Sequence, residues 1–183
     1  ELLAVYPSTR VLDFGKVNVS STVAKNFVIT NELPKSVVVA LGKMSGEISQ
    51  STPMSQVIPA NNIAGFDIIF KCDNEQKYKR VISYTINDRY TFKFTILAQV
   101  VPVEIRLSHK ELAMSFPPDS LERSVAQALT LTNPGNSPAE YVWSTRGAFS
   151  VKPESGALAP YSSAEVQVIW LPTPGARLQE AIT

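Results

Sequence analysis

A chain with one histidine and one cysteine has few residues from which to build a catalytic or metal site. His109 and Cys72 stand far apart in the sequence, whereas a structural zinc ion normally takes four cysteine or histidine ligands. The sequence contains neither a G-x-S-x-G nucleophile motif nor a glycine-rich phosphate loop. We therefore predict no catalytic residue, no metal site and no cofactor. We interpret His109 as a surface or turn histidine and Cys72 as an ordinary residue at a strand end.

Two short polar motifs have the composition of a binding or modification site. Asp73-Asn74-Glu75 offers oxygen ligands of the kind that calcium prefers, but it lacks the further ligands and the spacing of an EF-hand. Asn18-Val19-Ser20 has the pattern of an N-glycosylation acceptor, which is short enough to arise often by chance. We interpret the first motif as a polar turn between two strands and the second as a loop.

The densest group of charges is basic and comprises Lys77, Lys79 and Arg80, with Tyr78 between them. On a strand, Lys77 and Lys79 share one face and Arg80 takes the other, because successive side chains alternate. This group is our candidate partner-binding site, where it would bind an acidic peptide or the acidic tail of a polymer. Alternatively, the charges are solvated and protect the strand against edge-to-edge pairing.

The overall composition excludes several classes of function. The chain has 17 basic and 16 acidic residues among 183, whereas a nucleic-acid or anionic-membrane binder needs a concentrated basic field. Its apolar runs are much shorter than the roughly 20 residues of a membrane-spanning helix. One cysteine cannot form a disulfide within its own domain, which favours a reducing compartment such as the cytoplasm. We expect protein partners, and no nucleic acid, membrane or small-molecule substrate.

Matching segments recur at an interval of about 100 residues, which is the signature of an internal repeat. Each segment alternates apolar and polar residues, as a half-buried strand does. The pairs of matching segments are Leu12-Asp13-Phe14 with Leu112-Ala113-Met114, Phe27-Val28-Ile29-Thr30-Asn31 with Leu129-Thr130-Leu131-Thr132-Asn133, Val37, Val39 and Leu41 with Ala139, Tyr141 and Trp143, and Ala64, Phe66, Ile68 and Phe70 with Ala164, Val166, Val168 and Trp170.

Many short strands separated by turn residues predict an all-β fold of two tandem immunoglobulin-like β-sandwiches. We place the domains at residues 1–101 and 102–183, with Pro102 at a stiff junction. Val81-Ile82-Ser83 matches Ala181-Ile182-Thr183, so the second sandwich should lack its final strand or strands in this chain. We expect it to be completed by further sequence or by another chain.

Several motifs of the two repeats resemble the ASH domain, also called the hydin-like or abnormal-spindle-like domain, which is related to the major sperm protein sandwich. They are Leu12-Asp13-Phe14-Gly15-Lys16-Val17, the strand Phe27-Val28-Ile29-Thr30-Asn31, its repeat Leu129-Thr130-Leu131-Thr132-Asn133-Pro134-Gly135, and the run from Pro153 to Pro160. The second repeat has no Phe-Gly pair in its opening strand, 112–116, and the first has no Pro-Ser-Gly run.

This resemblance implies a non-enzymatic scaffold of cilia, flagella or centrosomes, and in particular of the central apparatus of the motile axoneme. Its partners would then be other proteins of a large cytoskeletal assembly, including microtubule-associated ones. Two alternatives remain open. One is an adaptor of the major sperm protein type that binds a short acidic peptide through Lys77, Lys79 and Arg80. The other is an extracellular or periplasmic adhesion or donor-strand module.

Overall fold

β-Strands make up the regular secondary structure in the computed structural model of the protein, which describes residues 4–172. This arrangement confirms the predicted all-β, immunoglobulin-like fold. The chain divides into two compact units, Glu1–Pro102 and Val103–Thr183, and each is described by itself below.

Two sheets form the first unit. Its described part contains the strands β1 (Val5–Pro7), β2 (Val11–Asn18), β3 (Thr22–Asn31), β4 (Val37–Leu41), β5 (Ile48–Gln50), β6 (Ser55–Ile58), β7 (Asn62–Lys71), β8 (Gln76–Ile86) and β9 (Tyr90–Val101). One sheet has the order β1-β3-β7-β5, and the five-stranded sheet has the order β2-β9-β8-β4-β6. All neighbours are antiparallel except β2, which runs parallel to β9.

The core of the first unit follows from the alternation of its strands. Because side chains on a strand point to opposite faces in turn, every second residue of β3, β7 and β9 enters the space between the sheets. Phe27 and Phe66 are fully buried there, and the rings of Phe27 and Phe94 stack with their centroids 4.0 Å apart. Aromatic packing of this kind contributes more than its buried area alone.

Two local features set the geometry of the five-stranded sheet. The register of β2 shifts between Asp13 and Lys16, where Gly15 has a φ of +69° that a side chain would disfavour. The turn from β8 to β9 passes through Asn87 and Asp88, which both have a φ of +51°. Asparagine and aspartate tolerate this conformation, so the predicted tight hairpin forms and fixes which residues of β8 and β9 face each other.

The second unit repeats part of this plan. Its described strands are β10 (Arg106–Leu107), β11 (Val125–Thr132), β12 (Ala139–Val142), β13 (Phe149–Lys152), β14 (Ser155–Leu158) and β15 (Ser163–Trp170). They form a four-stranded sheet of order β10-β11-β15-β13 and a two-stranded sheet of β12 and β14. The buried core comprises Leu129, Leu131, Val151, Leu158, Val166 and Val168.

One predicted strand is wrong: residues 112–116 are not assigned to a strand. Their counterpart in the first unit, β2, is held by its ladder with β9. Among residues 103–172 nothing corresponds to β9, so residues 112–116 lack the partner that would make them a strand. The predicted match of Ala181-Ile182-Thr183 to Val81-Ile82-Ser83 lies outside the described residues.

A buried asparagine holds the same turn together in both units. The Asn31 side-chain amide donates to the carbonyl oxygens of Lys35, Ile58 and Pro59, and its Oδ1 accepts from the amide of Leu33. In the second unit, the fully buried Asn133 makes the matching contacts, which are to Ser137, Leu158, Ala159 and Gly135. Both asparagines connect the end of one strand to the strand of the opposite sheet.

Candidate functional site

The candidate basic residues Lys77, Lys79 and Arg80 do not share one surface. Lys77 and Lys79 are exposed on the outer face of β8, whereas Arg80 points to the opposite side of the strand. The Arg80 guanidinium donates to the carbonyl oxygen of Ser45 and to the Ser45 Oγ, the latter at 3.1 Å. Arg80 therefore stabilises the loop after β4, and the two lysines are left as the exposed pair.

The register of the hairpin brings further lysines to the same face. Lys77 lies opposite Gln99 of β9, and Lys93 of β9 lies opposite Ser83 of β8. On the far side of β9, Lys16 of β2 also lies opposite Gln99. We call the set Lys16, Lys77, Lys79 and Lys93 the lysine face.

One acidic side chain lies among these lysines. Asp13 of β2 is opposite Leu97 of β9, and Leu97 is opposite Lys79 of β8. The Asp13 carboxylate already accepts a hydrogen bond from the backbone amide of Gly15 at 2.8 Å. The lysine face therefore carries a net positive charge that is available to a partner.

An apolar row crosses the middle of the lysine face. Val11 of β2 and Val81 of β8 both lie opposite Thr95 of β9, and they are 47% and 53% exposed. Protein-protein interfaces commonly have an apolar centre and a polar rim, and this face has both. The face can therefore bind a protein surface that offers apolar side chains and negative charge.

Two tyrosines on the inner side of β8 add no charge to this surface. Burial raises the pKa of Tyr78, and the nearby Arg80 only partly offsets that effect. Burial likewise raises the pKa of Tyr84. Because both pKa values lie above the usual 10.0, both side chains are neutral at physiological pH. The electrostatics of the face are therefore set by its lysines and Asp13.

Neither His109 nor Cys72 lies in an arrangement suited to catalysis. His109 is exposed, and its Nδ1 is 3.0 Å from the Oγ of Ser108, which also accepts the backbone amide of Thr130. Cys72 is buried, and its Sγ is 3.2 Å from the carbonyl oxygen of Asn74. Within residues 4–172, no group of three or more His, Cys, Asp or Glu side chains could hold a metal ion.

The glycosylation-like motif is closed to modification because its asparagine is buried. Asn18 is 2% exposed at the end of β2, and its side-chain amide donates to the carbonyl oxygen of Pro102 at 2.9 Å. When the chain is passed through a secretory pathway, we expect no glycan on Asn18. Enzymatic deglycosylation should leave its electrophoretic mobility unchanged, and a mobility shift that is lost in Asn18→Gln would contradict this assignment.

Within residues 4–172, no helix is long and apolar enough to cross a membrane.

Comparison with known proteins shows similarity to two curated relatives. The chain is 28% identical to mouse cilia and flagella-associated protein 47 over 167 residues, which cover 88% of this chain and 5% of the relative. Against the human cilia- and flagella-associated protein 47 it is 27% identical over 165 residues, again 5% of the relative. The chain therefore spans a small part of the length of both proteins. No protein-family model matches it.

A solved structure supports the fold independently of these sequences. The ASH / PapD-like domain 7 of human CEP192 superposes with a TM-score of 0.50 at 14% identity, covering 55% of this chain and 87% of that one. Similarity at so low an identity concerns the fold alone. The expected resemblance to the ASH domain is confirmed at that level, and the chain has the immunoglobulin-like sandwich of ASH / PapD-like domains.

Proposed function

We propose that this chain is a non-catalytic, protein-binding scaffold module of a cilium or flagellum, and specifically of the central apparatus of the motile axoneme. The observation that carries the proposal is the similarity to cilia- and flagella-associated protein 47 over most of the chain, together with the ASH-like fold. A structural role requires no group of three or more His, Cys, Asp or Glu side chains able to hold a metal ion, and residues 4–172 contain none.

A sandwich of this kind contacts its partners through exposed sheet faces and strand edges. The lysine face supplies such a surface, with Lys77 and Lys79 on β8 and Lys93 on the neighbouring strand β9. Modest contacts gain strength when several modules act together, since linked sites raise the effective concentration of each other. We infer that the module holds other cytoskeletal proteins in place and that the lysine face is one of its contact surfaces.

The location is tested by immunogold electron microscopy of the full-length natural protein in motile cilia. Gold particles over the two central microtubules and their projections would support the proposal. Labelling confined to the outer doublets would overturn the central-apparatus assignment while leaving a ciliary role. A protein absent from cilia and centrosomes would overturn the scaffold proposal as a whole.

Charge reversal on the lysine face should weaken binding to axonemal proteins. We expect Lys77→Glu combined with Lys79→Glu to reduce recovery of salt-extracted axonemal partners by at least about tenfold, or ~1.4 kcal/mol, because like charges would then meet across the interface. Recovery on immobilised protein at increasing salt measures this effect. Lys43→Glu combined with Lys71→Glu changes net charge equally at exposed positions off the lysine face, and an equal loss in that variant would contradict a specific interface.

A second candidate function is an adaptor that binds a short acidic peptide at the lysine face. The apolar row between the lysines favours it, because the exposed Val11 and Val81 could receive one apolar side chain of the peptide. A short peptide depends on few contacts, so Lys79→Glu alone should abolish its binding. An extended scaffold interface should tolerate that single change, and the two functions are thereby distinguished.

A further inference from the structure

The edge strand β6 of the first unit carries backbone groups that point out of its sheet. β6 ends the order β2-β9-β8-β4-β6, and within residues 4–172 it pairs with β4 alone. Leu41 donates its backbone amide to the carbonyl oxygen of Met54 at 2.8 Å, which fixes the phase of this ladder. Because opposite residues of antiparallel strands alternate between bonded and non-bonded pairs, the amides and carbonyls of Ser55 and Val57 point away from β4. No described residue bonds them.

β6 also lacks the charges that usually protect a strand edge from pairing. Its sequence is Ser-Gln-Val-Ile, whereas the other edge strand of the same sheet, β2, carries Asp13, Lys16 and a shift of register. Charges and irregularities of that kind keep an edge from adding a further strand. At β6, Val57 is 64% exposed, and Met54 beside the strand is 48% exposed. This edge therefore combines unpaired backbone groups with exposed apolar side chains, as a strand-pairing site does.

The sequence around β6 is arranged symmetrically about Gln56. Pro53 and Pro59 lie at equal distances before and after it, and a proline ends a ladder because it has no amide to donate. When two copies of β6 run antiparallel with Gln56 opposite Gln56, Ser55 of each copy lies opposite Val57 of the other. The two Ser55–Val57 pairs exchange two hydrogen bonds each, so every outward amide and carbonyl of these residues is satisfied.

The same register covers the exposed apolar side chains of this edge. Met54 of one copy lies opposite Ile58 of the other on the inner side of the sheet. The two Val57 side chains become diagonal neighbours on the outer side, where each already lies opposite Val38 of β4. Two five-stranded sheets would join into one sheet of ten strands, which is within the range of open sheets.

We propose that β6 is a self-association site, at which a second copy of this chain pairs antiparallel about a two-fold axis through Gln56. The prolines select this register. A shift of two residues in one direction places Val57 opposite Pro53, and a shift in the other places Ser55 opposite Pro59, and either leaves a carbonyl without a donor. Because the interface is small, the dimer should be weak, with a dissociation constant on the order of 10⁻⁴ M. This inference goes beyond the proposed function and is independent of a ciliary role.

Sedimentation of the whole chain, at concentrations from below to well above about 10⁻⁴ M, should show a reversible monomer–dimer equilibrium. Val57→Pro removes an outward amide and spares the ladder with β4, so it should raise the dissociation constant at least about tenfold through the loss of two of the four hydrogen bonds. Val57→Thr keeps the amide and should change that constant by less than about threefold. Ala157→Pro removes the corresponding outward amide of β14 and should leave the dimer unchanged.

Disulfide formation tests the register without changing the backbone of β6. In a Cys72→Ser background, Gln56→Cys places the two thiols on the axis with their Cα atoms about 4.5 Å apart, within reach of a disulfide. Met54→Cys places them roughly 14 Å apart and should give little disulfide-linked dimer on a non-reducing gel. The inference is overturned if the chain stays monomeric at every concentration or if Val57→Pro dimerises as tightly as the parent. Equal cross-linking of Gln56→Cys and Met54→Cys would also overturn it.

Discussion

Phe94→Ala should lower the free energy of unfolding of the first unit by about 3–5 kcal/mol. The Phe94 ring is 1% exposed and stacks on Phe27 at 4.0 Å between the two sheets. Alanine would leave a cavity that rigid strands on both sides cannot close, and the pairing with Phe27 would be lost as well. A domain of this size has a total stability of about 5–15 kcal/mol, so the variant should be close to unfolding at 37 °C.

Chemical denaturation followed by circular dichroism measures this change. Thr91→Ala on the exposed side of the same strand is the matched control and should shift stability by less than about 0.5 kcal/mol. Phe94→Leu retains most of the apolar volume and should fall between the two. A loss below about 1 kcal/mol in Phe94→Ala would show that the stacked pair does not hold the sheets together.

Asn31→Ala should cost about 3 kcal/mol, although it removes a polar side chain from an apolar core. The Asn31 amide satisfies the carbonyl oxygens of Lys35, Ile58 and Pro59. Each buried carbonyl left without a donor costs roughly 1–3 kcal/mol, and the methyl group of alanine cannot replace the donor. Asn133→Ala should have the matching effect on the second unit, where Trp143 and Trp170 report unfolding.

The substitution Asn31→Asp tests the hydrogen-bond donor role of this side chain independently of its acceptor role. Aspartate keeps an oxygen for the amide of Leu33 but turns a negative charge toward the three carbonyls. Burial and repulsion should raise the pKa of this carboxyl in the folded state above its unfolded value. The variant should therefore have its full stability at pH values below the pKa that this carboxyl has in the unfolded state. It should lose stability as the pH rises through the pKa that the carboxyl has in the folded state. If Asn31→Asp were as stable at pH 7 as at pH 4, the amide would not be acting as a donor to these carbonyls.

Alternation in the sequence was sufficient to predict most of the strands. Residues such as Phe66, Ile68 and Phe70 recur at every second position, and burial between two sheets is the arrangement that satisfies this period. The turn residues Asn87 and Asp88 predicted the hairpin because both tolerate positive φ. In the sequence the two asparagines are marked only as the ends of repeated strands, because the bonds that reach the opposite sheet are to carbonyls more than 20 positions away.

One motif that the sequence comparison missed became visible through topology. The first repeat has no Pro-Ser-Gly run, yet β6 begins at Ser55 after Pro53, just as β14 begins at Ser155 after Pro153. Both strands pair with the strand before them in the same sheet, β4 and β12. The second unit has Gly156 where the first has Gln56, and this glycine makes room for a ring: a Cβ on Gly156 would lie 2.7 Å from the Tyr141 hydroxyl oxygen.

By itself, the sequence determined the all-β class, the repeat and the absence of a catalytic motif, because these depend on residue types and local spacing. Tertiary structure decided which charges act together. Lys93 joins Lys77 and Lys79 only through the register of β8 and β9. Alternation already places Arg80 on the other face, and the tertiary structure adds its bonds to Ser45. Tertiary structure also decided that residues 112–116 form no strand, because a strand exists only where a second backbone pairs with it.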